Sequence, residues 1–155
     1  MERKLRRADR AIPESEAKEI LQAGEYGILS TVSVDGQPYG VPVSYSYAGD
    51  VIYFHCAVEG HKLENLSGNN KVSFCVVGKT QVLPEKFATN YESVIVFGKA
   101  FEVTEDEKHR GFLELLKKYS PGFMEKGRRY IDGDGRKARV YKIVVESMTG
   151  KARKK

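Results

Sequence analysis

The stretch "YGILSTVSVDGQPYGVPVSYSYAGDVIYFHCA", residues 26–57, consists of three runs of β-forming residues separated by two short turns. The first turn contains Asp35-Gly36 and the second contains Gly49-Asp50. Glycine and aspartate tolerate the positive φ angles that tight hairpins require. Parallel neighbours would instead need a crossover connection of about a dozen residues. The stretch therefore predicts three consecutive antiparallel strands.

Six strands and three helices are predicted for the whole chain. The strands are expected at 26–34, 39–47, 51–57, 71–78, 92–103 and 138–148. The helices are expected at 12–24, 61–66 and 104–119. Strands that follow one another through short turns, with few helices, are typical of antiparallel barrels. The fold class predicted is mainly β, a single domain over residues 1–155 built as a β-barrel with accessory helices.

Three local features refine this prediction. Gly98, inside the fifth strand, predicts a β-bulge. Thr104 and Glu107, three residues apart at the start of the last helix, predict a capping box. The segment "GRRYIDGDGRKAR", residues 127–139, combines charges and glycines and is expected to be a mobile polar loop. A solvated charge run explains that segment better than recognition of an acidic substrate does.

The composition is that of a soluble globular protein. Of 155 residues, 41% are hydrophobic and 30% are charged, and no apolar run approaches the roughly 20 residues of a membrane-spanning helix. Two cysteines make no disulfide framework, and no apolar stretch of a secretory signal follows the first charged residues. The histidines and cysteines lack metal-ligand spacing, so no metal site is predicted. A cytoplasmic protein is expected.

The net charge of +5 is concentrated at the two ends of the chain. Residues 1–10 carry +3 and residues 151–155 carry +4, which leaves −2 for the rest. Basic tails can bind nucleic-acid phosphates. No helix-turn-helix, zinc-finger or RNA-binding motif accompanies them. Solvated basic tails at about 1–10 and 151–155 are therefore expected, and nucleic-acid binding is the less favoured alternative.

The segment "EGHKLENL", residues 59–66, places a glycine and two cationic side chains where a helix is predicted to begin. Gly60 permits a tight turn, and the free backbone N–H groups of a helix N-terminus attract anions. Lys62 adds a positive charge and His61 a hydrogen-bond donor. These residues predict a phosphate site. A surface lysine beside a first-turn histidine explains the same pattern, and the residues alone leave both alternatives open.

Several motifs, in order along the chain, resemble one known family. They are "DGQPYGVPV" at 35–43, "YFHCAVEGHKLENL" at 53–66, "NYESVIVFGKA" at 90–100 and "SMTGKAR" at 147–153. These segments are similar to the FMN-binding split barrels of the pyridoxamine 5′-phosphate oxidase superfamily, in the nitroimidazole-resistance protein branch. The resemblance extends from about Arg6 to Arg153. It implies an antiparallel split barrel that binds FMN and forms a homodimer with flavin sites at the subunit interface.

The resemblance also assigns residues to the cofactor. It implies that the flavin phosphate binds at the start of the helix after Gly60 and that the ring lies along "VPVSY", residues 41–45. A core strand with an edge proline explains 41–45 equally well. The implied cofactor-binding residues are Pro42, Val43, Ser44, His55, Ala57, His61, Lys62 and the partner subunit's Lys151, with Arg153 as an alternative to that lysine.

His55 is the catalytic residue that the resemblance implies. The chemistry predicted is electron transfer from reduced FMN to an acceptor that His55 positions or protonates. A structural role at a strand end is the alternative for this histidine.

The predicted function is an FMN-dependent oxidoreductase that reduces nitroaromatic, 5-nitroimidazole-like or related small acceptors. The main alternative is a non-catalytic flavin- or haem-binding protein, because one barrel can host several functions. Pyridoxamine 5′-phosphate oxidase activity proper is disfavoured, since the chain has Gly40 and "VPVSY" where the resemblance would require an arginine-rich strand.

The fifth strand supports the expected dimer. Val94, Val96 and Phe97 supply more apolar surface than one face of a barrel is expected to bury. A two-fold interface along 90–103 is therefore predicted.

Overall fold

The computed structural model describes residues 3–155 and shows one seven-stranded antiparallel sheet with four α-helices. The strands are β1 Gly27–Val32, β2 Pro38–Val43, β3 Ser46–Ala48, β4 Val51–Cys56, β5 Lys71–Leu83, β6 Ala88–Val103 and β7 Arg139–Arg153. The helices are α1 Glu14–Ala23, α2 His61–Gly68, α3 Glu105–Tyr119 and α4 Met124–Asp132. The predicted mainly β fold with accessory helices is confirmed. No helix within residues 3–155 has the length and apolar character that crossing a membrane requires.

The sheet is a barrel that stays open between two strands. Its strand order is β2-β1-β5-β6-β7-β4-β3. The edge strands β2 and β3 are consecutive in the chain and joined by Ser44 and Tyr45 alone, yet they do not pair with each other. We call this gap the seam. The seam passes through the segment that the resemblance assigns to the flavin ring.

Both predicted hairpin turns form, with one difference in backbone conformation. In the turn before β4, Gly49 and Asp50 both adopt positive φ, at 59° and 62°. In the turn before β2, Gly36 has a φ of 89°, whereas Asp35 is not among the residues with positive φ. Asp35 instead accepts a hydrogen bond from the Ser33 hydroxyl. One glycine is therefore sufficient for the first turn.

Two apolar clusters organise the fold. The larger fills the barrel and is covered by α1 and α2; among its buried side chains are Leu21, Leu29, Phe54, Phe74 and Val96. The smaller joins α3 and α4 to β4, β6 and β7 through Tyr53, Val103, Phe112, Ile131 and Val140. The second cluster holds α3 against the strand that carries His55.

Two predictions for the C-terminal part are wrong. The segment 127–139, expected as a mobile loop, contains most of α4 and the short 3-10 helix Asp134–Lys137, and its Ile131 is buried. The strand β7 continues to Arg153, so residues 151–153 of the expected C-terminal tail belong to the sheet. Pairing with β6 places Lys151 opposite Ser93 rather than in solvent.

The predicted capping box at the start of α3 does not form. No side chain caps the start of α3 at Thr104. The Glu107 carboxylate instead accepts hydrogen bonds from Lys142 Nζ at 3.0 Å and from the Tyr53 hydroxyl at 3.2 Å. This contact ties α3 to β7 and β4.

The strand β6 has the predicted bulge, because its register with β7 shifts between Phe97 and Gly98. Val94 and Val96 are fully buried inside the barrel, so they contribute no surface to an interface and that part of the expectation is wrong. Ile95 and Phe97 point the other way and are 38% and 50% exposed.

Candidate functional site

The end of β4 directs His55 away from the core. Its neighbours Phe54 and Cys56 are buried, because alternate residues of a strand face opposite sides of the sheet. His55 is exposed on the other side, and its ring centroid lies 5.9 Å from that of Phe112 on α3. Pairing with Val140 of β7 fixes its position along the strand.

His55 lines a cleft of about 370 Å³, which we call the His55 cleft. Ser44, from the seam, lies in the same cleft. The side chains that α3 and α4 contribute to its wall are Phe112, Leu115, Leu116, Tyr119, Tyr130 and Ile131. The structure thus brings together two predicted site residues, Ser44 and His55, beside an apolar wall. Sequence reasoning missed the part of that wall that α4 supplies.

The surroundings of His55 keep its imidazole neutral. Burial lowers the pKa of His55 below its ordinary value, and the positive charge of Lys62 lowers it further. The same lysine lowers the pKa of Cys56, although burial, the larger effect, raises it. Lys62 therefore acts electrostatically on the end of β4. At pH 7 His55 is mostly uncharged and offers one N–H donor and one nitrogen acceptor.

The start of α2 has the geometry expected of an anion site. Gly60 precedes the helix with a φ of 147°, a conformation that side chains rarely adopt. His61 opens the helix and stacks on Tyr39 of β2, with ring centroids 4.0 Å apart and an interplanar angle of 27°. No side chain caps α2 in the described part of the chain. Its first backbone N–H groups therefore remain available to a ligand.

The other predicted residues take up different positions. Pro42 and Val43 pair with Ile28 and Gly27 on β1 at the seam edge of the sheet. Pro42 is exposed, whereas Val43 packs against the core, as the alternative of a core strand with an edge proline predicts. Ala57 is exposed just after β4.

Lys151 is remote from the other predicted residues within one chain. It lies eleven residues along β7 from Val140, the residue paired with His55. At about 3.3 Å per residue, the strand path between them is about 36 Å. Lys151 also forms a bridge with Ala11 near the N-terminus.

Tyr45 and Tyr119 hold the seam together, and the sequence did not indicate either residue. The Tyr45 backbone N–H donates to the Tyr119 hydroxyl at 3.0 Å. The Tyr119 hydroxyl donates to the Glu25 carbonyl at 2.5 Å, and the Tyr45 hydroxyl donates to the Leu21 carbonyl. These contacts join the seam to α3 and to the end of α1.

The sequence of the chain matches the model of one known protein family. The model of the family described as pyridoxamine 5′-phosphate oxidase matches residues 13–152. The chain belongs to this family. The resemblance of its motifs is thereby confirmed. Most of the described chain, including the seam, β4 and α2, lies within the matched residues.

Solved structures show that the oxidase-family chain has the split-barrel fold. A candidate 5-nitroimidazole antibiotic resistance protein from Bacteroides thetaiotaomicron is 23% identical, with a TM-score of 0.74 over 91% of this chain and 85% of that one. A FAD-binding protein from Mesorhizobium loti is 23% identical, with a TM-score of 0.66 over 94% and 98%. A FAD- and haem-binding protein from Mycobacterium smegmatis is 17% identical, with a TM-score of 0.75 over 92% and 72%.

The electrostatic link between Lys62 and His55 can be measured directly. We expect Lys62→Met to raise the pKa of His55, because a nearby positive charge disfavours the protonated imidazole. Burial remains in the variant, so the pKa stays below its ordinary value. NMR titration of the His55 ring protons reports this shift. Lys86→Met, at the exposed tip of the β5–β6 hairpin, is the control, and an equal effect of both variants would contradict the link.

Proposed function

We propose that this protein is an FMN-binding oxidoreductase that reduces nitroaromatic or related small acceptors. The observation that carries the proposal is the meeting of Ser44 and His55 in one cleft, with Lys62 acting on the same strand end. Family membership and the names of two structural neighbours as FAD-binding proteins support a flavin. The neighbour named for 5-nitroimidazole resistance supports the choice of acceptor.

The residues fit the two chemical parts of FMN. The uncapped start of α2, with Lys62 in its first turn, suits a phosphate group. A flavin ring needs apolar contacts for its faces and a few polar groups at its edge, and Ser44 and His55 beside the aromatic wall supply both. The exposed ring of Pro42 adds apolar surface at the same edge of the sheet.

Bound FMN would supply reversible electron transfer to the acceptor. The chain's own residues then have separate tasks. The neutral imidazole of His55 donates a hydrogen bond to an oxygen of the acceptor and positions it. Phe112 and Leu115, both buried, exclude water from the apolar side of the cleft.

A non-catalytic flavin- or haem-binding protein is the second candidate. The observation that favours it is His55 itself, because an imidazole beside an apolar cleft is also what a haem iron requires. The Mycobacterium smegmatis neighbour is named as binding both FAD and haem. The absorbance spectrum of the purified protein distinguishes the cofactors, since a flavin absorbs near ~450 nm and haem shows a Soret band.

Lys62→Ala tests the phosphate site. We expect the variant to bind FMN about ten- to a hundredfold more weakly, because it loses a charge-assisted contact of about 1.5–3 kcal/mol. Quenching of flavin fluorescence during titration measures the affinity. The charge-matched control is Lys86→Ala, at the exposed hairpin tip. The same affinity in both variants would exclude Lys62 as a phosphate ligand.

His55→Ala tests the catalytic role. We expect this variant to retain FMN and to reduce a nitro compound about ten- to a hundredfold more slowly than the parent, since a hydrogen bond to an oxygen that gains charge contributes about 1.5–3 kcal/mol. Stopped-flow reoxidation of the reduced protein by the acceptor gives the rate. His109→Ala, an exposed histidine on α3 near Asp132, is the control. Equal reoxidation rates for His55→Ala and the parent would remove His55 from the mechanism.

We also propose that two chains associate through the outer face of β6 and β7. Partly exposed apolar side chains lie there on the two paired strands, at Ile95, Phe97, Phe101 and Val144. Such a patch on adjacent strands is typical of a self-association surface. A dimer would also provide the partner from which Lys151 could reach the site.

Phe97→Glu tests this interface. We expect the parent to scatter light as a particle of about twice 17.4 kDa at micromolar concentration, and the variant to scatter as a monomer, because the charge cannot be buried at the contact. Val34→Glu, at the fully exposed first hairpin, should leave the dimer intact. A monomeric parent, or a dimeric Phe97→Glu variant, would contradict the proposed interface.

A further inference from the structure

Lys118, one residue before the end of α3, holds a buried ammonium group with no hydrogen-bond acceptor in the described chain. Its Nζ lies 3.7 Å from the centroid of the Tyr45 ring and 5.3 Å from that of Tyr119. Burial lowers the pKa of Lys118 to about 8, so the group is still mostly charged at pH 7. An ammonium has three N–H donors, and contact with a ring face replaces lost hydration only in part.

The two tyrosines whose rings lie nearest this ammonium use their hydroxyl protons elsewhere in the chain. The hydroxyls of Tyr45 and Tyr119 donate to the carbonyls of Leu21 and Glu25. Burial lowers the Lys118 pKa, and within residues 3–155 no carboxylate, that of Glu25 included, bonds to its Nζ. The three N–H donors of Lys118 are therefore available to an anionic ligand.

Lys118 lines a second cleft, of about 550 Å³, which we call the Lys118 cleft. Residues 22–26 at the end of α1 form its other side. Ser44 and Tyr119 line both this cleft and the His55 cleft. The two clefts therefore adjoin each other at the seam.

We propose that Lys118 binds an anionic oxygen group of the substrate, and that the acceptors reduced by this protein are aromatic compounds bearing a carboxylate. The aromatic ring would enter the His55 cleft beside the flavin, and the carboxylate would face Lys118. The flexible four-carbon stem of lysine allows Nζ to turn from the Tyr45 ring to such a group. The placement of the substrate's reacting group at His55 rests on the proposed function.

The flavin phosphate is a second source of anionic oxygen. The proposed function places that phosphate at the start of α2, where Lys62 and free backbone N–H groups lie. Lys118 instead lies on α3, in a cleft that no residue of α2 lines. The assignment of Lys118 to the substrate therefore predicts that FMN affinity does not depend on this lysine.

The test is a calorimetric titration of the purified full-length protein with 4-nitrobenzoate and with the uncharged 4-nitrobenzamide at pH 7. We expect the parent to prefer the carboxylate about ten- to a hundredfold, and Lys118→Met to lose that preference. Lys117→Met is the matched control, because Lys117 is the adjacent lysine, is exposed and pairs with Glu114. Lys118→Met should melt at the same or a higher temperature, since it removes an unpaired buried charge.

Three outcomes would overturn the proposal. The parent shows no preference for the carboxylate, or Lys118→Met keeps the preference of the parent. In the third outcome, Lys118→Met weakens FMN binding whereas Lys62→Ala does not. That result would mean that Lys118 binds the flavin phosphate and not the substrate. The titration needs no electron transfer, so a protein that binds no FMN but still selects the carboxylate would reject the proposed function and leave the anion site standing.

Discussion

The open seam between β2 and β3 is the constraint on which the rest of the site depends. Two consecutive strands that do not pair leave backbone groups without ladder partners, and such groups must be satisfied by other means. At Tyr45 the Tyr119 hydroxyl accepts from the backbone N–H, while the buried phenol of Tyr45 donates to the end of α1. Prolines at 38 and 42 remove two backbone donors from β2, which suits an edge strand. The seam can therefore stay open without recruiting another strand.

The same contacts decide where a ligand can lie. Tyr119 fixes the C-terminal end of α3 at the seam, and the buried ring of Phe112 fixes its middle against β4. These two attachments leave the His55 cleft between the helix and the strand end. Gly127 of α4 allows close contact with Leu116, because a methyl group there would overlap the leucine side chain. The apolar wall is thus a product of helix packing onto the seam.

Sequence could predict the parts of the site whose determinants are close together along the chain. The turns at Gly36 and Gly49, the strand carrying His55 and the helix after Gly60 each depend on neighbouring residues, and they form as expected. Other parts depend on distant contacts. Tyr119 bonds to Tyr45, 74 residues away in the sequence. Glu107 bonds to Lys142, 35 residues away, instead of capping α3. The helix α4 is a polar segment whose buried Ile131 has partners on other elements, so its sequence alone resembles a loop.

Desolvation favours the neutral forms of both His55 and Lys118, but the two groups differ in charge at pH 7. Burial lowers the pKa of both His55 and Lys118 in the folded state. Between the folded-state pKa and the unfolded-state pKa of each group, the unfolded chain therefore binds more protons than the folded chain. The free energy of unfolding rises with pH across that range. For Lys118 this range extends from about pH 8 to the ordinary lysine value, and for His55 it lies below the ordinary histidine value. At pH 7 the imidazole has therefore already lost its charge, whereas the amine retains it. The seam thus presents a neutral hydrogen-bonding group and a cation in two adjoining clefts. Lys118 Nζ has no acceptor within residues 3–155, so a bound anion would offset the cost of its buried charge.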